Sequence, residues 1–497
     1  MNYFSTRGAT ECVSSAEAIL KGLASDGGLY VPAAFPQVSL SEIEALAPLS
    51  YEERAERILS LFLTDYTEEE LQGCVSRAYS HTFDDVRRAP VRTVGELEVL
   101  ELWHGPTSAF KDMALQLLPQ LMSTARKKTG EQDSILILVA TSGDTGKAAL
   151  EGFADADGIR IMVFYPDGGV SPIQRLQMVT QTGANVSVVA VRGNFDDTQR
   201  GVKEIFGDTA MAAELAALHT KLSSANSINW GRLVPQIVYY FSAYADLLVE
   251  GKIAAGDAVN FTVPTGNFGN ILAGYYAKRM GLPVGKLVCA SNANNVLTDF
   301  LQTGIYDRKR EFCQTISPSM DILVSSNLER LLYHLTEDTA QVAAWMRELA
   351  EKGTYDASGL LPVLRENFWA AFTSDLMTEE EIRIVCERTS YTLDTHTAVA
   401  YRVAEDYRRE TGDMRPMIVL STASPYKFGA SVLHALGKDT DGLDEFTLME
   451  RLHIQSGMEI PARLAALREA KVLHDGICER GGMRAVVLSF AGHKKKQ

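Results

Sequence analysis

Beyond residue 96 the chain alternates short runs of consecutive apolar residues with longer amphipathic stretches, the rhythm of a parallel sheet covered by helices. The runs fall at 97–102, 135–140, 160–165, 186–191, 259–263, 286–290 and 417–420, and helix-like stretches at 113–128, 173–182 and 233–249 lie between them. Ile135-Leu136-Ile137-Leu138-Val139 is apolar at every position, so both faces of that strand require burial and its place is a sheet centre. The fold class is therefore α/β. Residues 1–92 read differently, with a turn at Asp26-Gly27-Gly28 and a helical, acidic stretch over 41–77, and form an expected N-terminal domain. An α/β catalytic core is expected over 93–335, a mostly helical insertion or extension over 336–410, and a segment returning to the core over 411–497 that ends in a solvated Lys494-Lys495-Lys496 tail.

A chain of 497 residues, 46% hydrophobic, can bury the large core such a fold needs. Forty-eight Lys and Arg against 63 Asp and Glu leave a net charge of -15, which opposes a nucleic-acid footprint or a basic membrane face and favours a small-molecule partner. The longest apolar runs are about six residues, where a bilayer-spanning helix needs roughly 18. The opening Met1-Asn2-Tyr3-Phe4-Ser5-Thr6-Arg7-Gly8 lacks a charged-then-apolar leader pattern, so a cytoplasmic location is expected. Cys289 and Cys313 are the nearest cysteines, 24 positions apart, which leaves no CxxC or zinc-site spacing and predicts buried free thiols.

Three turns carry the chemistry. Pro264-Thr265-Gly266-Asn267-Phe268-Gly269-Asn270 joins a strand to a helix; its glycines let the backbone wrap an anion against the N-H groups and positive end of the helix, unless they serve only a tight turn. Thr141-Ser142-Gly143-Asp144-Thr145-Gly146-Lys147 fails as a nucleotide P-loop, which needs Gly at 141 and Ser or Thr at 148. It suits a carboxylate, or else holds a plain N-cap at Ser142 or Asp144. In His104-Gly105-Pro106-Thr107-Ser108-Ala109-Phe110-Lys111-Asp112 a lysine stands near a helix start among apolar neighbours, conditions that favour the neutral amine of Schiff-base chemistry, although a solvated lysine is the default. No HExxH pair, GxSxG elbow or EF-hand loop occurs, and His104, His334 and His396 read as structural.

Together with Asp26-Gly27-Gly28-Leu29-Tyr30-Val31-Pro32, Phe195-Asp196-Asp197, Asn226-Ser227-Ile228-Asn229-Trp230, Ser291-Asn292-Ala293-Asn294, Ser325-Ser326-Asn327-Leu328-Glu329-Arg330, Asp394-Thr395-His396-Thr397-Ala398 and Ser421-Thr422-Ala423, these turns make the chain resemble the pyridoxal-phosphate enzymes of the tryptophan-synthase-β class, fold type II, and within it the threonine synthases. The resemblance implies two open α/β lobes with pyridoxal 5'-phosphate in the cleft between them. It implies Lys111 as the Schiff-base lysine, Gly266, Asn267, Phe268, Gly269 and Asn270 around the cofactor phosphate, and Thr422 at the pyridine nitrogen. The implied reaction converts O-phospho-L-homoserine and water to L-threonine and phosphate by γ-elimination and β-addition of water. A phospholyase releasing 2-oxobutyrate and a non-catalytic cofactor-binding homologue are the alternatives. Ser424 and Tyr426 stand where the family has histidine and alanine.

For the substrate carboxylate, Ser142, Gly143, Asp144 and Thr145 supply backbone and hydroxyl donors; for its phosphate, Ser326, Asn327, Arg330 and Lys427 combine a guanidinium fork with an ammonium. No metal, nucleic-acid or membrane partner is expected, and the chain is expected as a monomer or homodimer.

Overall fold

The computed structural model describes residues 1–492, so the lysine tail lies outside the described residues. Two open sheets organise it. The larger runs Phe368–Phe372, Val284–Ser291, Val259–Pro264, Met417–Ser421, Leu97–Glu101, Val91–Val94, with only the Val91–Val94 edge antiparallel. The smaller runs Gly476–Glu479, Val186–Arg192, Ile159–Pro166, Ser134–Ala140, Thr220–Ser223 and is parallel throughout.

All seven apolar runs are strands. Ser134–Ala140 lies inside its sheet between Ile159–Pro166 and Thr220–Ser223, with Ile135 to Val139 buried, as its uninterrupted hydrophobicity demands. The 113–128 stretch divides into helices Asp112–Leu115 and Leu118–Thr129, with Pro119 in the first turn of the second, where its missing N-H breaks no bond. The 336–410 region is mostly helical, yet Phe368–Phe372 within it supplies the large sheet's other edge. Past residue 411 the chain visits both sheets, first with Met417–Ser421 and then with Gly476–Glu479.

Residues near the N-terminus join the common core. Tyr3, Ile58 and Phe62 belong to the same hydrophobic cluster as Ile137, Trp230 and Phe261. Trp230 opens the buried helix Trp230–Val249, and its ring packs 5.2 Å from Tyr3 and 5.5 Å from Phe62. Arg54, on the N-terminal helix Tyr51–Ser60, forms a buried ion pair with Asp246 of that helix. The cysteine expectation holds in part: Cys74 and Cys289 are buried, whereas Cys12 and Cys313 are exposed.

Candidate active site

A cavity of about 1170 Å³ opens where strands of both sheets end, beside Ala140 and Thr141 of one and Pro264 and Thr265 of the other. Ligands of open parallel sheets bind at the carboxyl ends of the strands. Lys111, Ser142, Asp144, Thr145, Gly266, Asn267, Phe268, Gly269, Asn270, Ser326 and Thr422 all line it.

The 264–270 turn has the build of an anion cradle. Phe268 takes a left-handed conformation (φ 61°) immediately before helix Gly269–Arg279, and no side chain caps that helix, so its first N-H groups stay open to a ligand. Ser325 Oγ donates to Gly266 O at 2.8 Å, and Asn327 donates to Asn267 O from both its backbone and its side-chain amide at 3.1 Å, which holds the turn from outside. Asn270 Oδ1 accepts from Tyr239 and Tyr240, but its Nδ2, buried, has no partner. An orphaned donor beside open helix N-H groups fits a phosphate.

Lys111 stands across the cavity, its Nζ 3.2 Å from Ser319 Oγ and 3.6 Å from Asp144 Oδ2. Burial pushes its pKa down, opposed by Asp144 and reinforced by Arg232 and Lys427. Its segment is tied to that of Thr422: Phe110 N-H donates to Thr422 O at 2.8 Å, and Ser424 N-H to Ser108 O at 3.0 Å. The hydroxyl and the amine are thus held on paired backbone.

The 141–147 turn is organised by Thr141, whose Oγ1 accepts the N-H groups of Gly143 and Gly146. Gly143 adopts φ 134°, and a Cβ there would meet Gln174 at 2.4 Å, so glycine is required. Neither Ser142 nor Asp144 caps the helix, whose N-cap is Gly143 without a side-chain bond. Asp144 instead accepts from Gln174 Nε2 at 2.9 Å and pairs with Lys427 at 3.0 Å. Burial opposes its charge, yet Lys427 and Lys111 hold its pKa well below the usual carboxylate range.

Residues 2–79 match the family model for the threonine synthase N terminus, and residues 397–473 the model for the threonine synthase C-terminal region. Threonine synthase of Schizosaccharomyces pombe is 40% identical over 473 residues, covering 89% of this chain and 90% of that protein. The chain belongs to the threonine synthase family. Among solved structures, pyridoxal-phosphate-bound threonine synthase from Brucella melitensis superposes with a TM-score of 0.87 at 38% identity, over 99% of this chain and 100% of that one. Human threonine synthase-like 1 is 42% identical over 433 residues, 84% of this chain, and the match spans 58% of that longer protein's length.

Within this threonine synthase-family fold, two residues expected at the substrate phosphate, Arg330 and Lys427, lie outside the cavity lining. Arg330 is fully buried outside the cavity lining, its guanidinium donating to Tyr30 O, Asn327 Oδ1 and Ile228 O. Each of its three guanidinium nitrogens is bound to a neighbouring carbonyl group, so it ties three segments together behind the cavity. Lys427 is also fully buried, donating to Gln177 Oε1 and to Thr107 O. Asn327 grips the cradle from behind, and Ser326 alone of that set faces the cavity.

Arg232 was missed. It lines the cavity, buried, with Nη1 donating to Ala225 O, Nε without a partner, and no carboxylate in ion-pair range among the described residues. Burial pushes its pKa down to about 10. The signal was present, because Arg232 closely follows the Asn226 to Trp230 block, but an arginine inside a helical pattern reads as a solvated face. His396 also lines the cavity: Nδ1 meets Asp394 Oδ1 at 2.9 Å, and Nε2 accepts the Ser319 N-H at 3.1 Å. His104 and His334 are structural as expected, the first between Asp84 and Glu101, the second against Tyr276.

Proposed function

We propose that the chain is a threonine synthase, a carbon-oxygen lyase that converts O-phospho-L-homoserine and water to L-threonine and phosphate with pyridoxal 5'-phosphate. The observation that carries this reading is one cavity presenting a buried amine, an open helix N-terminus and an unpaired buried guanidinium. A substrate with a carboxylate and a phosphate, acting with a phosphorylated cofactor, needs that combination.

In this reading Gly266, Asn267, Phe268, Gly269 and Asn270 would hold the cofactor phosphate through backbone N-H groups and the free Asn270 Nδ2, and Thr422 would offer its hydroxyl to the cofactor ring. The bound cofactor supplies an electron sink for charge that develops at the substrate's α-carbon. Lys111 would hold the cofactor and move protons at the substrate α-carbon, a task suited to an amine whose burial favours the neutral form. Ser142 and Thr145 offer hydroxyl and backbone donors to the substrate carboxylate. Arg232 receives the substrate phosphate, assisted by Asn226, Ser227 and Ser326 on the same wall.

Lys111 at the cavity argues against a non-catalytic homologue, and the name shared by the relatives favours threonine over 2-oxobutyrate. Product analysis with O-phospho-L-homoserine tests the reading. L-threonine and phosphate in equal amounts support it; 2-oxobutyrate, or no turnover by cofactor-loaded protein, refutes it.

A further inference from the structure

We propose that Lys427 is a positioning residue that balances the Asp144 carboxylate, leaving Lys111 free of a dedicated counter-ion. The inference rests on the reading of Lys111 as the cofactor lysine. Asp144 sits in the very turn assigned to the substrate carboxylate, where an unbalanced negative charge would repel it. The buried ammonium of Lys427 lies 3.0 Å from Asp144 Oδ1, while Lys111 lies 3.6 Å from Oδ2. One carboxylate therefore serves two lysines, the closer being the one with no access to ligand.

The surroundings hold Lys427 in that duty. Gln174 and Gln177 sit three residues apart on helix Pro172–Val179, so they share a face. Gln174 Nε2 donates to Asp144, and Gln177 Oε1 accepts from Lys427, so each member of the pair has its own glutamine. Thr107 O accepts a further hydrogen bond from Lys427 Nζ, at 3.2 Å. Such saturation marks a fixed charge. Removing one partner of a buried, hydrogen-bonded pair leaves the other uncompensated.

The other charged groups facing this cluster are Arg232 from helix Trp230–Val249, Asp112 beside Lys111, and Lys147 with Glu151 on helix Asp144–Phe153. His396 reaches it through Ser319, whose Oγ lies 3.2 Å from Lys111 Nζ and 3.5 Å from Asp144 Oδ2. Without Lys427, the whole Asp144 charge falls on Lys111, which then holds its proton more tightly and presents less neutral amine.

Amine labelling of the full chain before cofactor loading, followed by mass spectrometry of the Lys111 peptide over a range of pH, tests this. In Lys427→Met the midpoint for Lys111 labelling should rise by roughly 1.5–2 pH units, the size of a charge interaction across two contact distances at an effective dielectric near 20. Lys427→Arg should leave it near the wild-type value, and Asp144→Asn should lower it. A folded Lys427→Met protein with a wild-type midpoint overturns the proposal and makes Lys427 a packing residue. If Lys427→Met does not fold, an unchanged midpoint in Asp144→Asn overturns it equally. Loading with pyridoxal phosphate separates the two readings: failure to protect Lys111 from label removes the cofactor assignment, whatever the midpoints do.

Discussion

Replacing Arg232 with glutamine should separate stability from ligand recognition, because the two respond with opposite sign. In the free chain the guanidinium is desolvated without a carboxylate partner and Nε is unbonded, so it opposes folding. Glutamine keeps a donor in the region of Ala225 O and removes the charge. The melting temperature of Arg232→Gln should therefore stay level or rise. Toward a phosphate, the lost charge-assisted hydrogen bonds contribute about 1.5–3 kcal/mol, or roughly a ten- to hundredfold loss of affinity. The measurements are inhibition by inorganic phosphate, KM for O-phospho-L-homoserine, binding of phosphate-free L-homoserine, and cofactor affinity by equilibrium titration. Phosphate and the phosphorylated substrate should weaken together while homoserine and the cofactor hold. A lower melting temperature with unchanged phosphate binding would show that Arg232 is a structural arginine. Weakened cofactor alone would move it to the cofactor phosphate.

Lys111→Ala should abolish turnover and the visible absorption of a lysine-bound cofactor while leaving the far-ultraviolet circular dichroism unchanged; retained threonine formation would sink the assignment. Gly266→Val should weaken cofactor affinity, because a side chain at Gly266 meets Ser319 O at 2.8 Å and must displace the cradle's cover, and an unchanged titration would place the phosphate elsewhere. His104, half-buried between an exposed Asp84 and a buried Glu101, has its pKa raised to about 9; partial burial opposes the charge, but the two carboxylates outweigh it. Its stabilisation is then fully present below its unfolded pKa, near 6.5, and is lost as pH rises through about 9, so His104→Phe should lower the melting temperature at pH 6 far more than at pH 10.

The strands were legible because burial on both faces leaves a mark in consecutive residues. The missed edges were less so: Gly476–Glu479 is mostly exposed, and the apolar Phe368–Phe372 follows directly on helix Leu361–Asn367, with no turn residue between them to separate strand from helix. The glycine cradle proposed for the cofactor phosphate was legible for a related reason, since a glycine turn between strand and helix is a local device. The phosphate end depends on which arginine the fold leaves unpaired. Arg330 and Arg232 are both buried, and only the tertiary structure fills the donors of one with Tyr30, Asn327 and Ile228 while leaving the other open. No spacing rule distinguishes them.

The charge arrangement joins these points to the chemistry. Lys111 and Lys427 share the Asp144 carboxylate, Arg232 adds its charge to the field at Lys111, and the nearby Asp112 carboxyl is pushed up to about 7 by burial. A chain of net charge -15 has thus gathered surplus positive charge at one cavity. That surplus attracts anions and, in the empty site, pushes the Lys111 amine toward its neutral form. In the proposed reaction, a dianionic phosphate arriving beside Arg232 and a carboxylate beside the 142–145 turn would cancel that surplus. The basicity of Lys111 would then rise as it takes on the proposed proton transfer from the substrate. A phosphate-free amino acid brings only part of that compensation, so its slower proton transfer would follow from electrostatics as well as from lost binding, and the dependence of α-proton exchange on added inorganic phosphate measures the difference.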